Sequence, residues 1–299
     1  MSLAHAVMFL ALVTGLACSV PGSFLVLRRR SMMVDAISHA VLPGVVVGFW
    51  FTRDLSSPWL ILGAAVAGLI VVASSEYLSR TGLVSGDAPQ GLIFPALFSA
   101  GILLITMKFA HVKLDAHSVL VGELNYVALK QLTIGGIQLG PEYAWVMLGV
   151  LAVNVAVVVA CFPALETTTF DHDFAKVRGL PVRGLMLTVT FLTTVTVTSA
   201  FYAVGAVLVI SLMVVPAAAA ALFARSLAHM LWISAGFAAV GALGGFWSAY
   251  VIDAPTSAGM ALFYGLLFAV CLVVSRWVRA RPTRPRPPAD RATPIVRPA

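Results

Sequence analysis

Charge is what this sequence has least of: acidic and basic residues make up 10% of its 299 residues, against about 25% in a soluble domain. Hydrophobic residues make up 60%, and the mean hydropathy is +0.99. That balance excludes a self-contained cytosolic enzyme. Cysteine is nearly absent as well. Cys18, Cys161 and Cys271 lie far apart in apolar runs with no Cys-x-x-Cys pair, so neither a disulfide framework nor a thiolate zinc site is indicated. Each reads as a small buried apolar residue. Of the four lysines none follows a glycine, which removes the Gly-x-x-x-x-Gly-Lys phosphate loop and ATP hydrolysis by that route. His-Glu-x-x-His and Gly-x-Ser-x-Gly are missing too, and with them two hydrolase signatures. The N-terminus lacks the basic start of a cleaved signal peptide, so its first apolar run reads as a permanent span.

Apolar runs are what the chain does have. A spanning helix takes about 20 residues, and the runs between charges give candidate spans over roughly 6–27, 34–52, 57–76, 91–108, 142–164, 184–201, 203–224, 230–252 and 256–275. The sixth and seventh are separated by almost nothing. Tyr202–Gly205 makes the turn if both cross fully, and one partial span leaves eight. The expected architecture is an all-α, polytopic transmembrane helical bundle of eight or nine spans.

Arg28, Arg29, Arg30, Arg80, Lys176, Arg178, Arg183, Arg225 and the C-terminal arginines fall on one side of that bundle. The positive-inside rule makes that side cytoplasmic. Arg53, Lys108, Lys113 and Lys130 fall on the other. The N-terminus is therefore expected outside and the C-terminus inside.

The net charge of +7 is concentrated at one end: residues 276–299 hold seven arginines, one aspartate and six of the sixteen prolines. This composition predicts a disordered tail over 279–299, attached to a membrane domain over 1–278 and drawn to anionic lipid. It does not point to nucleic acid.

The stretch 109–141 is expected to form a short helix and a loop on the outer face. In 166–183, Asp171 or Asp173 caps a short amphipathic cytoplasmic helix that Gly179 and Pro181 end.

Asp35 and His39 are the ionisable pair inside a span. A spacing of four puts them on one helix face, where a carboxylate oxygen and an imidazole nitrogen can converge on one ion. Such residues cost about 2.5–3.5 kcal/mol for an aspartate at a helix centre by insertion scales and point by default to function. Oxygen and nitrogen donors without thiolate suit Mn²⁺, Fe²⁺ or Zn²⁺. The structural reading stands beside this one: Asp35 as an interfacial partner of Arg28–Arg30, and His39 as a packing histidine. Pro43, Gly44 and Gly48 would bend this helix or admit another backbone closely. His111, Asp115, His117 and Glu123 form an outer cluster that reads as a solvated loop or as a guide for cations; Glu123, where the chain turns apolar again, is the best candidate among them. Asp171-His172-Asp173 reads as a cap and docking element rather than a metal site.

These residues carry a resemblance. Asp35-Ala-Ile-Ser-His-Ala-Val-Leu-Pro-Gly44 resembles the signature of the membrane subunits of bacterial ATP-binding-cassette importers for manganese, zinc and iron. Leu114–Glu123, Phe170–Pro181, Val204–Ala218 and Asp253-Ala-Pro255 follow in the expected order, and the likeness extends over about 10–278, with Thr81–Gln90 matching loosely. The resemblance implies a permease subunit that dimerises with a second permease copy. It also implies a cytoplasmic ATP-binding subunit and an extracytoplasmic metal-binding solute-binding protein as partners, in the bacterial cytoplasmic membrane. It implies no covalently bound cofactor, only a transported divalent metal. Asp35 and His39 match the intramembrane metal ligands. Residues 170–180, with Asp171, Asp173, Phe174, Ala175, Lys176, Arg178 and Gly179, resemble the coupling helix that meets the ATPase. The Ala-Val-Leu-Pro-Gly continuation is closer to the manganese and iron branch than to zinc. Two other readings of the site remain: a proton-coupled secondary metal transporter, and an intramembrane metalloenzyme, which needs a third ligand and an activated water.

Overall fold

In hydrocarbon every backbone N–H and C=O must be paired within the protein, so long apolar segments fold as helices. The computed structural model describes residues 3–53, 59–84, 88–108, 124–134 and 137–280. Its elements are α1 (Leu3–Leu27), α2 (Met32–Thr52), α3 (Trp59–Arg80), α4 (Ala88–Lys108), α5 (Leu124–Leu129), β1 (Gln131–Ile134), β2 (Ile137–Pro141), α6 (Glu142–Ala160), α7 (Phe162–Phe170), α8 (His172–Val177), α9 (Val182–Ala221), α10 (Leu227–Ile252) and α11 (Thr256–Ala280). Among the described residues, eight helices are long and apolar enough to cross a membrane. Side chains such as Phe51, Val159 and Trp232 are exposed at 84%, 68% and 79%. That pattern suits a surface facing lipid rather than water.

Two of the nine expected spans are joined in α9, which is 40 residues long. It is not straight. Gly205 has φ 77° and ψ 170°, a region essentially confined to glycine. Asn154 Nδ2 donates to both Thr196 Oγ1 (2.9 Å) and the Ala17 carbonyl (3.1 Å), and a Cβ at Gly22 would run into the Met213 carbonyl. Thr196 and Met213 therefore face the same stretch of α1, whereas a straight helix would hold them about 25 Å apart. The chain folds back at Gly205, inside the Tyr202–Gly205 turn that the sequence predicts.

The fifth expected span, 142–164, is shorter than its apolar run suggests. α6 ends at Ala160, Cys161 leaves the helical region (φ −105°, ψ 11°), and α7 begins with Pro163 in its first turn. On the other side, the expected helix and loop of 109–141 include a two-stranded antiparallel hairpin, β1–β2, in which Gln131 faces Pro141 and Ile134 faces Ile137. Gln131-Leu-Thr-Ile134 does alternate polar and apolar, the period-two signal of a strand, and the expectation of a helix and loop passed over it. α11 runs to Ala280, two residues past the expected boundary of the tail, which itself lies outside the described residues.

α1 and α9 form the centre, with α10 and α11 packed around them. α2, α3 and α4 run up, down and up at one side. Gly44 and Gly63 each stand where a Cβ would meet the other's backbone, and a Cβ at Gly101 of α4 would lie 2.8 Å from Pro43 Cβ. The Pro43-Gly44 dipeptide thus seats both neighbouring helices.

Candidate functional site

The site is set by the turn that precedes α2. Arg29 takes a left-handed conformation (φ 56°), with Arg29 N–H donating to Val26 O and Arg30 N–H to Leu25 O, the pairing of a Schellman stop. α2 then begins at Met32, which places Asp35 in its first turn, where a carboxylate suits the positive end of the helix dipole. Two of the arginines that the interfacial reading offered to Asp35 have other partners: Arg30 Nη1 pairs with Glu76 Oε2 at 2.9 Å and Arg28 Nη2 donates to Thr169 Oγ1 at 3.3 Å.

Asp35 instead meets His39. Nε2 and Oδ1 stand 3.4 Å apart, and the two side chains keep 28% and 31% exposure. They face a side of α2 that this chain leaves partly open. The imidazole is fixed by α4: Phe94 stacks on it (5.2 Å between centroids, 16° between planes) and Phe98 meets it edge-on (5.4 Å, 77°). Nδ1 is buried without a hydrogen-bond partner, which leaves Nε2, on the Asp35 side, as the nitrogen able to bind an ion. Phe94 and Phe98 were not singled out from sequence, because phenylalanine is ordinary in an apolar run and nothing local ties it to a histidine on another helix. Among the described residues no group of three or more His, Cys, Asp or Glu side chains gathers at one point. The described residues of one chain therefore offer an ion two donors here. Glu123, with His111, Asp115 and His117, lies outside the described residues.

The second expected site is α8. Asp171 caps it by accepting from Phe174 N–H at 2.9 Å, so of the two candidate caps Asp171 is the one used. Asp173 pairs with Lys176 at 3.2 Å, Arg178 stacks its guanidinium over the Phe174 ring at 5.5 Å, and Ala175 is fully buried. Gly179 (φ 71°) closes the helix, with Leu180 N–H donating to Ala175 O. Phe170, Phe174 and Val177 stand exposed together at 61%, 50% and 87%; Val177 escaped the sequence reading because one exposed valine carries no chemistry of its own.

A family model described as the ABC 3 transport family matches residues 2–275. The chain belongs to that family. As an ABC 3 family member it is a multi-pass membrane transport subunit, with ATP hydrolysis lodged in a separate partner. It is 34% identical over 263 residues to the manganese transport system membrane protein MntD of Bacillus subtilis (strain 168), covering 88% of this chain and 89% of that one. It is 38% identical over 273 residues to the zinc transport system membrane protein TroD of Treponema pallidum (strain Nichols), covering 90% and 73%. Its fold is similar to PsaBC from Streptococcus pneumoniae, solved in complex with Fab, with a TM-score of 0.75, 26% identity, and 93% and 95% of the two chains covered.

Proposed function

We propose that this ABC 3 family chain is the permease subunit of an importer that carries a divalent metal into a bacterial cytoplasm at the expense of ATP, with Mn²⁺ or Fe²⁺ ahead of Zn²⁺. The observation that carries the reading is the Asp35–His39 pair, 3.4 Å apart on a half-open face of α2. An oxygen and a nitrogen donor suit these three ions, and relatives of the chain are named for manganese and zinc transport.

Two donors do not complete a coordination sphere, and their partial exposure gives the remainder a place to come from. A second permease copy related by a two-fold axis would bring another Asp35 and His39 to the same ion. The metal would arrive from an extracytoplasmic metal-binding protein, with the N-terminus outside and the C-terminus in the cytoplasm, as the arginine distribution favours.

α8 is proposed as the coupling helix. Its exposed Phe174 and Val177, with Phe170 at the end of α7, offer an apolar surface to a cytoplasmic ATP-binding subunit, while Asp171, Asp173, Lys176, Arg178 and Gly179 hold its shape. From α8 a short link leads into α9, whose Thr194 meets Gly68 of α3 and Ile37 of α2 at one point. Ile37 lies between Asp35 and His39. Displacement of α8 on ATP binding would thus reach the metal ligands through packed helices, opening the path to one side and then the other.

The test is uptake of radiolabelled Mn²⁺ into proteoliposomes holding the permease alone or with its ATPase. Uptake that requires the ATPase and ATP is expected; uptake by the permease alone, driven by a pH gradient, would make it a secondary transporter.

A further inference from the structure

A cavity of about 1210 Å³ opens at the arginine-bearing end of the bundle, between the ends of α1 and α3, the starts of α2 and α4, and the segment that leads into α9. Among the described residues four basic side chains line it, Arg28, Arg30, Lys176 and Arg183, against one acid, Glu76; Arg30 pairs with Glu76 and Lys176 with Asp173, which leaves Arg28 and Arg183 for a ligand. Such a lining repels a divalent cation, so this space is a poor exit for metal. It suits an anion.

Its unmet hydrogen-bonding capacity points the same way. Arg28 Nε and Ser75 Oγ, both able to donate, are buried without partners, and Ser75 keeps only 5% exposure; Gln90 Oε1, an acceptor that is also buried without a partner, takes no part in holding an anion. A buried guanidinium donor left unpaired is costly. Burial first, and the neighbouring Arg30 charge second, lower the Arg28 pKa, the signature of a cation lacking an anion. Along α3 and α9, away from the arginines, the wall turns apolar: Leu69 and Val72 line it with Leu187 and Phe191, the last two themselves open on the surface at 62% and 52% exposure. Along α9 it reaches from Arg183 to Phe191, about 12 Å at the rise of a helix. Cationic at one end and apolar at the other, the cavity is graded like a phospholipid.

We infer that this cavity binds one anionic phospholipid, its phosphate between Arg28 and Arg183 and the upper part of an acyl chain against α3 and α9. A bound lipid there would brace the segment between α8 and α9, which the proposed coupling motion must move.

Native mass spectrometry of the full-length chain, released from detergent containing phosphatidylglycerol or phosphatidylcholine, tests the inference. Phosphatidylglycerol is expected to be retained in preference, and Arg28→Gln and Arg183→Gln each to weaken its retention about five-fold, the effect of one basic side chain at an anionic lipid surface. Arg183 is exposed, so its variant keeps the test decisive even if Arg28→Gln fails to fold. The arginine-rich tail favours phosphatidylglycerol in every variant, so it cancels between wild type and variant, the comparison that carries the test. Equal retention of the two lipids, phosphatidylglycerol retention unchanged in Arg183→Gln, or its displacement by equimolar inorganic phosphate would overturn the inference.

Discussion

The imidazole of His39 is held by its neighbours more than by its own helix. Phe94 covers one face, Phe98 abuts the ring, and Asp35 stands 3.4 Å from Nε2. Residues that orient a metal ligand typically matter by about 10–100-fold in metal affinity. Phe94→Ala is therefore expected to raise the metal concentration for half-maximal uptake by about tenfold, with maximal ATPase activity retained; Phe94→Tyr, which keeps the stack, should restore it. An unchanged half-saturation in Phe94→Ala would show that the ring packs His39 without positioning it. Asp35 and His39 were legible in sequence because two ionisable side chains four apart within an apolar run are rare and expensive. Their aromatic support was not, since phenylalanine is ordinary in such a run and its partner lies on another helix. The diversion of Arg30 from Asp35 was hidden as well: Glu76 claims it across 46 residues, and no local pattern announces that pairing.

At the scale of elements, the same stretch of sequence does two jobs. One turn beyond His39, Pro43 and Gly44 take α4 and α3 at close range. The close approach foreseen from the glycines is therefore a double one, and it fixes where Phe94 and Phe98 fall. A Cβ at Gly44 would lie 2.5 Å from the Gly63 carbonyl, so Gly44→Val should destabilise the bundle by about 1–3 kcal/mol. The expected readout is a lower midpoint in thermal unfolding of the detergent-solubilised chain; an unaltered midpoint would mean that α3 is free to shift. α8 was nearly complete in sequence, cap and glycine stop included, because capping is local chemistry. Removing that cap with Asp171→Ala should cost about 1 kcal/mol of local helix stability. If α8 is the coupling element, uptake should fall relative to ATP hydrolysed in the assembled complex, and a ratio equal to wild type would argue against that role. The motif Asp253-Ala-Pro255 proves to be a helix stop: Asp253 is left-handed (φ 54°) and Ala254 N–H donates to Ala249 O, so its place in the resemblance reflects the turn into α11.

For the whole molecule, hydropathy gave the bundle because lipid forbids unpaired backbone, and it located nearly every span to within a few residues. It failed where the backbone breaks while the side chains remain apolar, as at Cys161, and it says nothing of a hairpin as short as β1–β2, whose signal is the four-residue alternation Gln131-Leu-Thr-Ile134 rather than hydropathy. The corner at Gly205 was inferred from length alone. Its depth in the protein, with Asn154 binding Thr196 to Ala17, shows why a straight helix was never available. Metal is proposed to cross through Asp35 and His39 of paired copies of this chain. The most direct test is radiolabelled Mn²⁺ uptake, at saturating ATP, by proteoliposomes of the complete importer carrying Asp35→Asn and His39→Gln together, with subunit assembly verified beside wild type. Uptake falling to the level of protein-free vesicles is the predicted result. Uptake at the wild-type rate would contradict it.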